Sequence, residues 1–314
     1  YEELESSLAR SYADVLIFDK TSHKDMVEKL KAEGKTLVKE FISMTELEGY
    51  ETLDDLREAG KAALEEGFDE YSTVPIDEHA ITILLFTSGT TSMSKAVMLS
   101  QQNILSNVKA MQATEKFVRG DINMAFLPYH HTFGSVGQTL MTACGVATAY
   151  CDGLKYLQKN LVEYKVSVFF CVPLLIESIY KKVMQTVKKQ GKEKTLATGI
   201  KISQFLLKFG IDIRRKLFKE ILDQLGGNLR FVISGAAAID PEAIKGFNAL
   251  GISAVQGFGM TEASTVISAE NDKERALGSC GHAMLGVDLR IDNPDENGVG
   301  ELIAKGPNIM AGYY

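Results

Sequence analysis

No apolar run in this 314-residue chain approaches the roughly 20 residues that span a bilayer. The opening Tyr1-Glu2-Glu3-Leu4-Glu5 has none of the marks of a secretory signal. Cysteine is scarce: Cys144, Cys151, Cys171 and Cys280 show no metal-ligand spacing. Three of them lie in or beside apolar segments, so buried free thiols in a reducing cytoplasm are expected. No glycine separates Gly89 from Lys95, which excludes the Walker arrangement of a P-loop NTPase. The net charge of −7, without an aromatic–basic platform, excludes a nucleic-acid binder. With 45% hydrophobic and 24% charged residues, what remains is an ordinary globular chain large enough for a substantial core.

Positive charge is concentrated in one place. Lys181–Lys219 holds twelve Lys or Arg against Glu193 and Asp212, a local balance of +10 that leaves −17 elsewhere. Ile202, Phe205, Leu206, Phe209, Ile213 and Leu217 recur there at helical spacing. One reading is a helix hairpin whose apolar face packs on the core. The other is contact between 181–219 and an anionic membrane surface. The second predicts that charge reversal within Arg214–Lys216 weakens vesicle binding without loss of fold.

Elsewhere, apolar strand-like runs alternate with helical patterns. Strands are expected at Val15–Phe18, Ile81–Phe86, Ala96–Leu99, Ile122–Leu127, Val146–Tyr150, Val166–Val172, Leu229–Ile233 and Ile252–Gln256. Several are continuously apolar, which predicts a layered α/β fold with a parallel-rich sheet covered by helices on both faces. Ser100 is placed to cap a helix over Asn103–Ala113, and Pro173 to open another. Val287–Ile291 and Gly300–Ala304, with a turn at Asp295–Gly298, read as a small antiparallel β subdomain.

Chemistry gathers where such strands end. Thr87-Ser88-Gly89-Thr90-Thr91-Ser92-Met93-Ser94-Lys95 interrupts two apolar runs with hydroxyls, a glycine and a lysine, a composition suited to phosphate oxygens. An ordinary hydroxyl-rich hairpin turn would read the same way. Pro128–Gly134, with His130 and His131, follows a strand and opens a helix, as a capped turn also would. Ser234-Gly235-Ala236-Ala237-Ala238 lets a planar ligand approach the backbone closely, but also fits a strand-to-helix junction. In Gln256-Gly257-Phe258-Gly259-Met260-Thr261-Glu262, Phe258 offers a stacking face unless it belongs to the core. Glu262 there offers a hard oxygen ligand for Mg²⁺.

Taken in order, these segments resemble the adenylate-forming enzymes: acyl-CoA synthetases, luciferases and peptide-synthetase adenylation domains. Thr87–Ala96 matches their phosphate loop, Pro128–Gly134 their gate-histidine motif, and Ser234–Ala237 their adenine loop. Phe258–Glu262 matches their Tyr-Gly-x-Thr-Glu signature, and Gly300–Tyr313 a further shared segment. The similarity covers residues 80–314, and the long insertion 181–227 resembles the long-chain fatty-acyl-CoA synthetase branch. It implies ATP-dependent activation of a long-chain fatty acid to acyl-AMP, then transfer to coenzyme A. A non-catalytic nucleotide- or acyl-binding module, or an enzyme for an aryl or amino acid, is the alternative.

The resemblance also assigns roles. Thr87, Ser88, Gly89, Thr90, Thr91 and Lys95 would hold the β- and γ-phosphates, and Thr90 and Glu262 the Mg²⁺. Thr261 would contact the α-phosphate. Phe258 would stack on adenine, with Gly235, Ala236, Ala237 and Gln256 around it. Gly257 and Gly259 would lie beside the acyl carbonyl, and His131 at the tunnel mouth. Lys95, His131, Thr261 and Glu262 form the expected catalytic set. Ser92, Ser94 and Ala96 depart from the Gly, Pro and Gly of such loops, and Ser92 would cost roughly 1 kcal/mol or more at a positive φ. Phe258 replaces a tyrosine. Ala236 replaces a glycine, expected to be a small change.

The expected organisation is a partial α/β subdomain over 1–80, the core over 81–275 and a partial β subdomain over 276–314. Together these make a large N-terminal domain truncated at both ends. A small C-terminal domain is expected beyond Tyr314, so this piece alone is expected not to turn over. Its location is expected to be cytoplasmic, peripheral to a membrane if 181–219 makes contact. The sequence carries no statement of oligomeric state.

Overall fold

The computed structural model describes residues 1–87, 94–271 and 274–314. They divide into two compact units, Tyr1–Asp77 and Glu78–Tyr314. In the first, parallel strands β1 (Val15–Phe18), β2 (Glu40–Ser43) and β3 (Glu51–Thr52) lie in that order. Leu8, Leu30 and Val38 pack with Leu16 and Phe41 as its core. The helix Leu53–Glu65 starts at Thr52, which exchanges side-chain and backbone hydrogen bonds with Asp55. Such a capping box is worth about 1 kcal/mol.

The second unit continues with β4 (Ile81–Thr87), β5 (Lys95–Ser100), β6 (Ile122–Ala125), β7 (Ala147–Tyr150), β8 (Val168–Cys171) and β9 (Phe231–Ser234). Then come β10 (Ser253–Phe258), β11 (Ser268–Ala269), β12 (His282–Ala283), β13 (Asp288–Asp292), β14 (Glu301–Lys305) and β15 (Gly312–Tyr313). The large sheet has the order β12-β11-β10-β9-β8-β6-β7. Its strands β7, β6, β8, β9 and β10 run parallel, and β11 and β12 add antiparallel at one side.

Strand β8 shows why the sheet is covered on both faces. Val168 and Phe170 belong to one apolar cluster with Leu140, Phe231 and Val255. Phe169 and Cys171 belong to another with Leu161, Val232 and Ile252. Successive side chains of a strand point to opposite faces, so a continuously apolar strand needs two cores. Each fully buried side chain of this size contributes roughly 1.5–3 kcal/mol.

Local signals set the helices that flank the strand ends. Ser100 caps Gln101–Thr114 in a reciprocal box with Asn103. Pro173 sits in the first turn of Pro173–Lys189. The stretch 276–314 distributes over three sheets. Strand β12 extends the large one, β13 and β14 form an antiparallel pair, and β15 joins β5.

At the opposite end of the sheet, Asp121 is buried and knots three strand starts together. Its Oδ1 accepts from Ser167 Oγ at 2.8 Å and Arg230 Nε at 2.9 Å. Its Oδ2 accepts from the Val118 amide at 2.9 Å and from Arg230 Nη2. Burial alone would raise its pKa, but the Arg230 and Val118 donors and Ser167 outweigh that and lower it.

The basic segment corrects two expectations. Helix Glu193–Leu207 turns Leu196, Gly199 and Ser203 inward. Ile202, Phe205, Phe209 and Leu217 are exposed rather than packed on the core. The physical reason is the small inward face: Gly199 lies against the ring of Phe218, with 3.1 Å left for a Cβ. Arg214 and Arg215, in turn, belong to the fold. Arg214 bonds Asp212 and the Asn248 carbonyl. Arg215 donates to the carbonyls of Leu229 at 2.8 Å and Gly227 at 2.7 Å. Charge reversal at either would strip a donor from the Asn248 carbonyl or from those of Leu229 and Gly227 and cost stability, so the fold would not be spared. Of the three cysteines beside apolar segments, Cys171 is buried but Cys144 and Cys151 are only half-buried; Cys280 is exposed. No helix among the described residues is long and apolar enough to cross a membrane.

Candidate functional site

A cavity of about 460 Å³ opens where β6, β8, β9 and β10 end, within the usual range for small-molecule sites. Its walls are largely apolar, with Phe117, Leu140, Phe170, Val172, Val255 and Met284. Polar residues enter among them, Thr114, Glu115 and Thr132 included. His131, Ser234, Gln256, Thr261, Thr265 and Glu270 reach it. Ser234 Oγ and Thr265 Oγ1 are buried with no hydrogen-bond partner among the described residues. A buried hydroxyl without a partner is costly, so this cavity is poised to receive polar atoms of a ligand.

His131 precedes the helix Thr132–Ala143 as its cap residue and stays exposed. Its ring lies 4.3 Å from that of His130. The turn before it folds tightly: a Cβ on Gly134 would come within 2.4 Å of the Pro128 carbonyl oxygen. After β9, Gly235 packs on Phe133, with 3.2 Å left for a Cβ. Ala236 then adopts φ 71°. Its methyl makes this costly, by roughly 1–2 kcal/mol, so the exchange of glycine for Ala236 is not small. Ala236→Gly is expected to raise stability by about 1 kcal/mol. That is a rise of about 2–4 °C in the melting temperature of a unit this size; a fall would contradict the φ-strain account.

After β10 the backbone doubles back through Thr261–Ala263 and Ser264 (φ 55°) to Thr265 (φ 125°). A β-branched residue at such a φ is an outlier that neighbours must enforce. Gly259 is what admits it, since a Cβ there would lie 1.5 Å from the Thr265 carbonyl oxygen. Gly257 is less tight, at 3.2 Å from the Ser268 carbonyl oxygen. Asn107 Nδ2 donates to the Val266 carbonyl at 2.6 Å, and Asn308 Nδ2 to that of Ala263 at 3.0 Å. Phe258 is 41% exposed and lines the cavity, so it is not a core residue.

A second cluster lies on the hairpin β4–β5. Tyr313 donates its hydroxyl to Glu262 Oε1 at 2.8 Å. Lys95 Nζ sits 4.8 Å from the centre of the same ring. The hydrogen bond to Glu262, then burial, pushes the Tyr313 hydroxyl above its ordinary pKa. Among the described residues, no group of three His, Cys, Asp or Glu gathers that could hold an ion. Glu262 alone fits a cation that arrives with phosphates, because Mg²⁺ is usually held by one or two carboxylates plus phosphate oxygens.

The structure thus brings Lys95 and Glu262 to one ring. It sets His131, Gly235, Ala236, Gln256, Gly257, Phe258, Gly259 and Thr261 around one cavity. Thr87 Oγ1 faces the Lys95 carbonyl at 3.4 Å. Ala237 is exposed and does not line the cavity. Gln256 does, but its amide is spent on the Ser279 carbonyl at 2.5 Å. Ser88, Gly89, Thr90, Thr91 and the departure at Ser92 lie outside the described residues. The sequence reading missed Tyr313, although it stands in a matched segment, and it missed Glu270. The Glu270 carboxyl is pushed up by burial, against the backbone donors of Gln256 and Ala276. No local pattern signals it.

With that geometry in place, comparisons with known proteins bear on it. The model of the AMP-binding enzyme family matches residues 1–314. The peroxisomal long chain acyl-CoA synthetase 6 of Arabidopsis thaliana is 31% identical over 252 residues, 74% of this chain and 36% of that protein. The long-chain-fatty-acid–CoA ligase 6 of Mus musculus is 27% identical over 319 residues, 90% of this chain and 46% of the relative. The chain therefore spans less than half the length of these relatives. In structure it is similar to the N-terminal domain of FACL13 from Mycobacterium tuberculosis. The TM-score is 0.71 at 18% identity, over 99% of this chain and 68% of the other. At that identity the likeness is one of fold.

Proposed function

The chain belongs to the AMP-binding enzyme family, and on that premise we propose that it is the nucleotide- and acyl-binding part of an ATP-dependent long-chain fatty acid–CoA ligase. The observation that carries this reading is the largely apolar cavity that ends in polar groups at the Gly257–Thr261 turn. An alkyl chain gains about 0.8 kcal/mol for each CH₂ taken from water, and its carboxylate would emerge at that turn. There the carboxylate oxygen attacks the α-phosphorus of ATP, and the bond to pyrophosphate breaks. The acyl group then passes from AMP to the thiol of coenzyme A.

Two anions meet in the first step, so charge neutralisation and positioning carry the rate. Lys95 and Thr87, with Ser88–Thr91, would hold the outer phosphates and Thr261 the α-phosphate. Glu262 and Thr90 would hold Mg²⁺, which neutralises phosphate charge when bound. Phe258 would stack on adenine beside Gly235–Ala237 and Gln256, with Gly257 and Gly259 beside the acyl carbonyl. His131 would stand at the cavity mouth. ATP–pyrophosphate exchange by the full-length protein tests the reading. Stimulation by long-chain but not short-chain fatty acids is expected; no exchange with any carboxylate overturns it.

A second reading concerns location. Ile202, Phe205, Phe209 and Ile211 form an exposed apolar face beside Lys201 and Lys208, within the segment of charge +10. This face would lie on an anionic membrane surface, placing the ligase where its substrate partitions. The double variant Phe205→Ser/Phe209→Ser is expected to weaken binding to anionic vesicles at least about tenfold, since each phenyl ring contributes roughly 1.5–3 kcal/mol on burial. Equal co-sedimentation of variant and wild type would remove the membrane role.

A further inference from the structure

We propose that Tyr313 is a positioning residue that aims the Glu262 carboxylate at a phosphate-bound cation. The proposal rests on the reading of Glu262 as the residue that meets Mg²⁺. Glu262 stands on the one-turn helix Thr261–Ala263, too short to restrain a long side chain by packing. Its restraint comes from 310–313 instead. The Met310 amide donates to the Glu262 carbonyl at 2.8 Å, and the Tyr313 hydroxyl to Glu262 Oε1 at 2.8 Å. One short segment therefore grips both the backbone and the carboxylate.

That segment is itself anchored. Tyr313 pairs with Val97 and Gly312 with Met98, in the strand that begins at Lys95. The amides of Ala311 and Tyr314 donate to the carbonyls of Met98 and Ala96. Asn103 Nδ2 closes the approach, bonding the carbonyls of Pro307 at 2.7 Å and Ile309 at 2.9 Å. The hydroxyl is thus held at the end of a stiff ring on a fixed strand. It occupies one carboxylate oxygen and leaves lone pairs of the other for a cation. Core packing does not explain the ring, because Tyr313 is 45% exposed. Its face supports Lys95 and its edge supports Glu262. A ring so placed sets the spacing between the cationic and anionic groups that meet the phosphates.

The test is calorimetric titration of the full-length protein with ATP across a Mg²⁺ series and in EDTA. Tyr313→Phe keeps the ring under Lys95 and removes only the hydroxyl. It is expected to raise the Mg²⁺ concentration for half-maximal ATP binding about tenfold, as lost support of a metal ligand does. Metal-free ATP affinity is expected to stay unchanged. An unaltered Mg²⁺ requirement overturns the proposal. So does an affinity loss that is equal with and without Mg²⁺, which marks a merely structural tyrosine. Glu262→Gln in the same series separates the two levels. If it shifts the Mg²⁺ requirement and Tyr313→Phe does not, only the role of Tyr313 falls. If it shifts nothing, Glu262 does not meet the cation and both fall.

Discussion

Gly259→Ala is expected to lower stability by about 3 kcal/mol or more and to cut ATP–pyrophosphate exchange by at least about 100-fold. Overpacking usually costs less, because a flexible side chain gives way. Here the obstacle is backbone: the Thr265 carbonyl oxygen would lie 1.5 Å from the added methyl and the Val266 Cα 2.8 Å from it. Neither can retreat cheaply. Ser264 and Thr265 already hold positive φ, and Asn107 and Asn308 bond the carbonyls on either side. The turn that carries Thr261 and Glu262 would have to move. A thermal melt and an exchange assay on the full-length protein check both parts. A melting temperature within about 1 °C of wild type would show that the turn is softer than its geometry.

Asp121→Ala is expected to cost about 2–3 kcal/mol, the loss of a buried carboxylate that accepts several hydrogen bonds, while the partly exposed Arg230 keeps its bond to the Lys116 carbonyl. The loss extends beyond Arg230, since the Val118 amide and the Ser167 hydroxyl lose their acceptor too. The pH dependence has a definite sign. The folded carboxyl titrates below its unfolded value, so its stabilisation is present above the ordinary carboxylate range near about 4. That stabilisation is lost as pH falls through the lower, folded value. Denaturant midpoints of wild type and variant should therefore differ most at neutral pH and converge in strong acid. A gap that does not narrow in acid would remove the ionised pair as its cause.

Both sites bear on what could be read in the chain beforehand. Ser100 and Pro173 announce their helices because capping depends on neighbours within a turn. Continuous apolarity in Val168–Cys171 announces a sheet with two cores for the same local reason. Arg215 was read as surface charge because its acceptors, Gly227, Leu229 and Gly251, are scattered along the sequence. Ala236 looked harmless because a backbone dihedral leaves no trace in composition. The cavity was legible as three strand-end loops in order, Pro128–Gly134, Ser234–Ala236 and Gln256–Thr261. Its two unpartnered hydroxyls and Glu270 were not, because partnering is a property of the folded neighbourhood. Tyr313 escaped notice because strand β15 is two residues long and finds its partner across most of the chain.

That last pairing has a consequence for biosynthesis. Val97 and Tyr313 are joined across roughly 215 residues of sequence, and such long-range closure is slow to form. On a ribosome adding about 5–20 residues per second, strand β5 would wait roughly 10–40 s for its neighbour. Its exposed edge is an invitation to pair with another chain during that interval. Protection of the Ala96–Leu99 edge during synthesis should therefore bear on yield.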